Sequence, residues 1–262
     1  YAQLKDTNVF DLLSDEFGED VESKIVDGLI LKSAEFVLTY PEYLSNMSFQ
    51  PWKGLIEVGK ALNKPDYIHR AVELIERMVS GMFMSDGYWQ EVTPSYHSQT
   101  VDGLVQVTNM LRGWSDPEGY VSPRTGIRFD NLDMEQMFPI IRRAVENTNN
   151  LVYPDGKVYP ITDTWASTSV PTANIDAGSF LLPAAKVGRL AGGNGREQTQ
   201  VYLGFQPKYG HAHLDPLNLG LYALGQELVP DLGYTHNTFY RWFALSTMGH
   251  NTVVVDGANM VN

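Results

Sequence analysis

The sequence predicts an α+β protein in which a helical part comes first and antiparallel strands follow. Up to about residue 175, apolar residues recur at spacings of three and four, which is the period of helices that bury one face. After residue 177 the apolar segments become shorter and alternate with polar residues, as in strands. Turn-rich joints separate the predicted helices, which favours antiparallel helical hairpins in a larger array. We therefore expect a helical domain over residues 1–175 and the start of an antiparallel sheet domain over residues 176–262.

The helical period is clearest over residues 66–83, where Pro65 and Asp66 can start a helix and Asp86-Gly87 can end it. We expect further helices in four segments with similar patterns, at residues 21–37, 52–62, 101–111 and 134–145.

Strand-like alternation occurs in four segments, at residues 199–205, 217–224, 227–229 and 252–256. Leu224-Gly225-Gln226-Glu227 is typical of a hairpin turn, which would place the strand carrying His213 beside the strand that ends at Asp231. These strands are few for a stable sandwich, so we expect the natural protein to continue beyond residue 262.

The composition argues against several classes of function. Of the 262 residues 43% are hydrophobic and the mean hydropathy is -0.22, which allows a real core and points to a soluble protein. No apolar run approaches the roughly 20 residues that cross a bilayer. The formal charge of -12 argues against extensive nucleic-acid binding, which needs a basic surface. The absence of cysteine excludes disulfides and thiolate ligands, so His, Asp and Glu remain to hold any metal.

Residues 208–257 hold four of the six histidines together with two well-placed aspartates. His211 and His213 are two positions apart, so on a strand their side chains would share one face. An imidazole pair with the carboxylate of Asp231 arriving from the next strand can bind a metal, or can place a proton donor beside one. The alternative for each single histidine is an ordinary polar residue beneath a loop.

Several motifs of the chain are specific enough to be compared with known protein families. In the strand region these motifs are Tyr209-Gly210-His211-Ala212-His213-Leu214-Asp215, Glu227-Leu228-Val229-Pro230-Asp231-Leu232-Gly233-Tyr234 and His250-Asn251-Thr252. In the helical part, Asp86-Gly87-Tyr88-Trp89-Gln90-Glu91 leads into Ser95-Tyr96-His97. Together these motifs resemble those of the heparinase II/III-like polysaccharide lyases, and the resemblance covers most of residues 44–257. It implies an (α/α) toroid followed by an antiparallel β-sandwich, which this chain would carry in truncated form, with the active cleft between the two domains.

The reaction that this family implies is β-elimination at a uronic acid. It requires neutralising the C6 carboxylate, removing the C5 proton and protonating the departing O4 oxygen. The resemblance implies that His97 neutralises the C6 carboxylate, or acts as the general base when the substrate is the opposite epimer. It implies that His211 is the catalytic partner. In the family the catalytic tyrosine follows the first histidine at a spacing that points here to the segment Leu151 to Thr164, which contains Tyr153 and Tyr159. We therefore expect Tyr153 or Tyr159, with Tyr153 slightly preferred, to lie in a loop beside the cleft and to act as base with a lowered pKa.

Further residues are expected to bind the substrate. Tyr96 stands where some relatives have an asparagine before the histidine, so Gln99 and a protonated Glu91 are further candidates for the neutralising role. Arg124 offers a bidentate fork for a carboxylate or sulfate, and Trp165 offers an aromatic face for a sugar ring. The alternatives are a solvated surface charge for the arginine and a core position for the tryptophan.

The resemblance also implies a structural zinc ion (Zn2+) near the cleft, held by His213, Asp231 and His250. Two nitrogens, one carboxylate oxygen and a water suit the tetrahedral preference of zinc. Asp215 would then either orient His213 or act as a turn residue before Pro216.

We therefore expect a bacterial, secreted or periplasmic polysaccharide lyase that acts on an anionic polysaccharide containing uronic acid. Alginate, a glycosaminoglycan and a sulfated algal polymer are all open as substrates, and neither a nucleic-acid nor a membrane partner is expected. One alternative is a catalytically inactive carbohydrate-binding or scaffold protein of the same fold. Another is a zinc-dependent hydrolase that uses metal-bound water as the nucleophile. An unsaturated product that absorbs ultraviolet light distinguishes elimination from hydrolysis.

Overall fold

The structure is a computed structural model, which describes residues 1–39, 43–171, 177–206 and 210–261. The chain divides into two units: Tyr1–Met78 with Gly103–Phe138, and Val79–Asp102 with Pro139–Asn262. We refer to these as the first and the second unit. The predicted domain boundary at residues 175 and 176 and the motif residue Tyr209 both fall outside the described residues. The boundary stays a prediction.

The helices follow one another through just over the first half of the chain, and a last one lies near its end. They are α1 (Val9–Phe17), α2 (Val21–Ile25), α3 (Leu31–Thr39), α4 (Phe49–Ala61), α5 (Pro65–Gly81), α6 (Pro94–Leu111), α7 (Met134–Met137), α8 (Ile140–Asn147) and α9 (Thr238–Ala244). Within the described ranges, no helix has both the length and the apolar character needed to span a membrane.

Most of the predicted helices are confirmed. The segment 66–83 corresponds to α5, and the predictions at 52–62 and 101–111 fall on α4 and α6. The predicted helix at 21–37 is not regular, because the π-helical turn Val26–Ile30 separates α2 from α3. The one at 134–145 is split into α7 and α8 at Pro139, which has no N–H for a helical hydrogen bond. Helices α1 and α9 were not predicted.

In the first unit, apolar side chains of α4 and α5 form the core, among them the fully buried Trp52, Ile56 and Ile68. Against this core, the His69 ring of α5 stacks on Phe129, with ring centroids 4.1 Å apart. The histidine thereby connects α5 to the loop that follows α6.

The Asp116 carboxylate is the polar centre of this loop. Its Oδ2 atom lies 2.8 Å from His69 Nε2 and accepts a bond from Phe129 N at 2.7 Å, and its Oδ1 atom accepts from Trp114 Nε1 at 2.9 Å. Burial by itself would raise the pKa of Asp116, but the bonds from Phe129, Trp114 and His69 lower it overall.

The second unit contains a five-stranded antiparallel sheet with its strands in chain order. The strands are β1 (Phe180–Leu182), β2 (Val187–Gly192), β3 (Thr199–Gly204), β4 (Asn218–Ala223) and β5 (Gln226–Val229). The predicted strands at 199–205, 217–224 and 227–229 are confirmed as β3, β4 and β5. The strand predicted at 252–256 is wrong, because this segment makes only an isolated bridge between Val255 and Ala258.

The predicted hairpin between β4 and β5 is confirmed. Leu224 and Gly225 both have positive φ, of 54° and 76°, as the tight turns that join antiparallel strands require. However, His213 does not lie on a strand. Residues 211–217 form an irregular loop before β4, and the two histidines of this loop have different environments, since His211 is half-buried and His213 is buried.

The core of the second unit is rich in tyrosine. Tyr153, Tyr159, Tyr202 and Tyr222 are all fully buried beside the sheet, and their rings contact one another. A Cβ added at Gly220 of β4 would lie 2.6 Å from the Tyr153 hydroxyl, so the strand needs a glycine there. Helices and a five-stranded antiparallel sheet thus make up the fold, and the toroid and the second sheet of a sandwich stay predictions.

Candidate active site

A cavity of about 490 Å³ opens in the second unit between the loop before β4 and helix α9. It is lined by Asp163, Gly210, His211, Ala212, Leu214, Arg241, Trp242, Leu245, Ser246 and Asn259. Of these ten residues, only His211 was expected at a site from the sequence.

The His211 imidazole is held from two sides. Its Nδ1 atom lies 3.0 Å from Oε1 of Glu91, and its ring stacks on Tyr96 with centroids 4.0 Å apart and an angle of 15° between the planes. The other Glu91 oxygen accepts a bond from Trp89 Nε1 at 2.8 Å. Because the carboxylate can only accept, Nδ1 carries a proton when this bond forms, and Nε2 is left as the basic nitrogen.

Glycine is required next to this histidine. Gly210 has a φ of +60°, and a Cβ there would lie 2.7 Å from Oε1 of Glu91. The missing side chain therefore allows Glu91 to approach the loop closely. Tyr96, the stacking partner, has a raised pKa because of partial burial and of nearby carboxylates, which keeps its phenol protonated at neutral pH.

The Asp163 carboxylate joins the cavity wall to the buried histidine of the loop. Its Oδ1 atom lies 2.8 Å from His213 Nε2, and its Oδ2 atom lies 3.3 Å from a guanidinium nitrogen of Arg241. Burial would raise the pKa of Asp163, but the His213 and Arg241 contacts lower it overall. Neither Asp163 nor Arg241 was expected at a site from the sequence, although Asp163 lies in the segment 151–164 in which a catalytic tyrosine was expected.

His250 and Asp231 form a buried pair. His250 Nδ1 lies 2.7 Å from Asp231 Oδ2, which also accepts from Asn218 Nδ2 at 2.7 Å, and Asp231 Oδ1 accepts from Gly233 N at 2.7 Å. Burial would lower the pKa of His250, but the bond to Asp231 raises it overall. Asp231 is thus surrounded by donors in this arrangement.

Two imidazole nitrogens of the expected metal site have no partner. His213 Nδ1 and His250 Nε2 are both buried without a hydrogen bond, and the two ring centroids lie 5.2 Å apart. No set of three or more His, Asp or Glu residues within the described ranges is arranged to hold a metal ion. Asp215 is buried near both rings, but the carboxylate that orients His213 is Asp163 rather than Asp215.

His97 has a different environment from the one expected of a cleft residue. It is fully buried and stacks on Tyr88 at 4.0 Å. Its Nδ1 atom accepts from Trp89 N at 3.0 Å, and its Nε2 atom lies 3.0 Å from the Ala144 carbonyl oxygen. Burial lowers the pKa of His97 to about 4, so the ring is neutral. Both nitrogens bind the backbone, and this arrangement gives no support to a catalytic role.

The two candidate tyrosines also lie in the core. We expected Tyr153 and Tyr159 in a loop beside the cleft. Both residues lie outside helices and strands, but their side chains pack in the tyrosine cluster beside the sheet and do not line the cavity. Tyr159 donates to the Asn218 carbonyl at 3.1 Å. Burial, together with nearby acidic groups, raises the pKa of both phenols, which is the opposite of the lowered pKa that a tyrosine base needs.

The remaining substrate-binding candidates are spread over the chain. Gln99 is exposed on α6, and Arg124 belongs to the first unit, where it pairs with Glu73 at 2.9 Å. Trp165 is 40% exposed in the second unit and meets the rings of Tyr234 and His236 edge-on at 4.5 and 4.6 Å. None of the three lines the cavity described above.

Residues 176–261 match the family model of the heparinase II/III-like C-terminal domain. The resemblance to the heparinase II/III-like family is confirmed. The heparinase II/III-like domain so defined contains the loop with His211, the sheet and α9, while Glu91, Tyr96 and Asp163 precede it in the chain. No curated protein sequence matches the chain.

Solved structures of heparinase-type lyases share the fold. The heparan sulfate lyase HepC from Pedobacter heparinus superposes with a TM-score of 0.68 at 17% identity, over 87% of this chain and 40% of that protein. The heparinase III–BT4657 gene product gives a TM-score of 0.68 at 15% identity, over 92% and 41%. A further heparinase III structure gives 0.65 at 17% identity, over 92% and 43%. The chain thus spans about two fifths of the length of each of these three structures.

Proposed function

We propose that this chain is part of a polysaccharide lyase that cleaves a uronic-acid-containing glycosaminoglycan by β-elimination. The observation that carries the proposal is the cavity in which a half-buried histidine, His211, is oriented by Glu91 and Tyr96. The match to the heparinase II/III-like domain and the fold shared with a heparan sulfate lyase support it. The same relatives favour a glycosaminoglycan over alginate. We further propose a secreted or periplasmic location in a bacterium.

In the proposed reaction, Nε2 of His211 takes the C5 proton of the uronic acid. The electron pair of the C5–H bond forms the C4–C5 double bond, the C4–O4 bond breaks, and the imidazolium returns the proton to O4. The Glu91 carboxylate, 3.0 Å from Nδ1, stabilises the imidazolium between these two transfers. The protonated phenol of Tyr96 is a hydrogen-bond donor for the C6 carboxylate, which makes the C5 proton more acidic.

We also propose a structural zinc ion held by His213, Asp231 and His250. The donor chemistry fits, because two of the three side chains keep a buried imidazole nitrogen without a partner. Asp231 would have to exchange its present bond to His250 for the metal. The ion would stabilise the loop before β4, and the proton transfers at His211 do not depend on it.

The experiment is ultraviolet absorbance during incubation with heparan sulfate, chondroitin sulfate, hyaluronan and alginate. The expected result is a rise with at least one glycosaminoglycan and no rise for His211→Ala, which should keep its fold because this side chain is 38% exposed. A rise that survives in His211→Ala would remove the histidine from the mechanism.

The second candidate function is carbohydrate binding without catalysis. It is favoured by the buried positions of His97, Tyr153 and Tyr159, which leave the cavity without the base expected from the family resemblance. Binding of a glycosaminoglycan with no ultraviolet product on any polymer would select this alternative.

A further inference from the structure

Arg241 and Trp242 are adjacent residues of α9 that line the cavity and have no part in the proton transfers proposed above. The helix begins after Asn237, whose side chain accepts from Phe239 N at 3.0 Å. Its sequence is a run of large side chains, Phe239 to Phe243, and Trp242 is 65% exposed. An exposed indole in the wall of a cavity can stack on the apolar face of a sugar ring.

The Arg241 guanidinium is held in position by its neighbours and still has N–H donors available for a ligand. It lies over the Tyr234 ring at 4.7 Å and donates to the Thr235 carbonyl at 3.3 Å. Its bonds to Asp163 are 3.3 and 3.5 Å long, whereas strong bonds between guanidinium and carboxylate are about 2.7–2.9 Å. A third of this side chain is exposed, so an incoming anion can reach the remaining donors.

Asp163 is closer to His213 than to Arg241. Its short bond, at 2.8 Å, goes to the buried His213, and only its longer contacts go to Arg241. Asp163 therefore balances part of the charge of Arg241, and the guanidinium N–H groups that face neither Asp163 nor Thr235 are the donors left for an anion.

We propose that Arg241 and Trp242 form a subsite for an acidic sugar unit, in which Arg241 binds a carboxylate or sulfate group and Trp242 stacks on the ring. This inference rests on the proposed function, because it names two positioning residues for the substrate of the same cavity. Arginine suits this role since its planar fork can donate two parallel bonds to either anion.

The test measures binding of a heparan sulfate tetrasaccharide to the full chain by calorimetry, together with KM and kcat for elimination. Arg241→Gln and Trp242→Ala are each expected to raise Kd and KM at least about tenfold and to change kcat little. Arg241→Lys, which keeps the charge but loses the fork, should fall between wild type and Arg241→Gln. Phe239→Ala is the matched control, since Phe239 is 72% exposed on the same helix and does not line the cavity.

Two chemically altered tetrasaccharides identify the bound anion. If the arginine binds sulfate, desulfation should weaken wild-type binding and remove the difference between wild type and Arg241→Gln. If the arginine binds the carboxylate, reduction of the carboxyl group should weaken wild-type binding and remove that difference instead.

Unchanged Kd values for folded Arg241→Gln and Trp242→Ala would overturn the subsite, as would an equal loss in Phe239→Ala. A wild-type chain that binds the tetrasaccharide with the expected dependence on both residues, but gives no ultraviolet product, would reject the lyase and keep the subsite. If elimination occurs and neither substitution changes it, the subsite would be rejected and the lyase function kept.

Discussion

Replacing Asp116 by asparagine should lower the free energy of unfolding by about 3 kcal/mol. The carboxylate accepts three bonds, from His69, Phe129 and Trp114, and the amide of asparagine has only one acceptor oxygen. If that oxygen replaces Oδ2, the bonds from His69 and Phe129 remain and the Trp114 N–H faces an NH2 group. The unsatisfied donor costs about 1–3 kcal/mol, and losing the charge weakens the other two bonds by roughly 1 kcal/mol in total.

The assay is urea unfolding at neutral pH, followed by tryptophan fluorescence. Asp130→Asn is the control, because Asp130 lies in the same loop but is exposed, and among the described residues its carboxylate accepts a bond from Ser115 alone, at 3.0 Å. It should change stability by less than about 0.5 kcal/mol. A loss for Asp116→Asn no larger than that of the control would refute the assignment of Asp116 as the polar centre of this loop.

The pH dependence of the same difference provides a second check. The pKa of Asp116 is lowered in the folded protein, so its ionised form contributes stability fully above the unfolded pKa of about 3.9. This contribution is lost as pH falls through the lower folded pKa. The difference between wild type and Asp116→Asn should therefore be constant from about pH 6 to 8 and shrink below about pH 4. A difference that grows on acidification would have the wrong sign.

Three other changes test separate features. Gly220→Ala should lower the free energy of unfolding by about 1–3 kcal/mol, because the added Cβ would lie 2.6 Å from the Tyr153 hydroxyl. An unchanged melting temperature would mean that the tyrosine side chains can rearrange to accommodate the methyl group. His97→Ala should destabilise by about 2–4 kcal/mol through its two lost backbone bonds, whereas a fully stable variant that loses only turnover would restore its catalytic role. His250→Ala should abolish zinc uptake measured by native mass spectrometry, and a retained ion would reject the proposed ligands.

Much of the fold could be predicted because its elements have clear local patterns. Helix α5 has a regular apolar stripe, and the β4–β5 hairpin has a two-residue turn at Leu224-Gly225. Helix α9 could not be predicted in this way, because its run of exposed aromatic residues has no apolar face to recognise. The segment 252–256 has the alternation of a strand but no partner strand, and pairing is a property of the whole fold.

The candidate site was predicted only in part. His211 was found because its motif is long, and Glu91 and Tyr96 because they belong to the motif in the helical part. The burial of His97, Tyr153 and Tyr159 could not be read from the motifs, since a histidine or tyrosine is compatible with both a cleft and a core. Asp163 and Arg241 had no distinctive neighbours in the sequence, and only folding brings them together across 78 positions.

The bond between His211 and Glu91 joins residues that are 120 positions apart in the chain. Closing a loop of that length has an entropic cost that must be met before the contact contributes any stability. Helices α5 and α6, whose bonds are local, can form much earlier during folding. On refolding, the stacked pair of His211 and Tyr96 should therefore be among the last contacts to form, and recovery of the proposed glycosaminoglycan binding should lag behind recovery of helical circular dichroism.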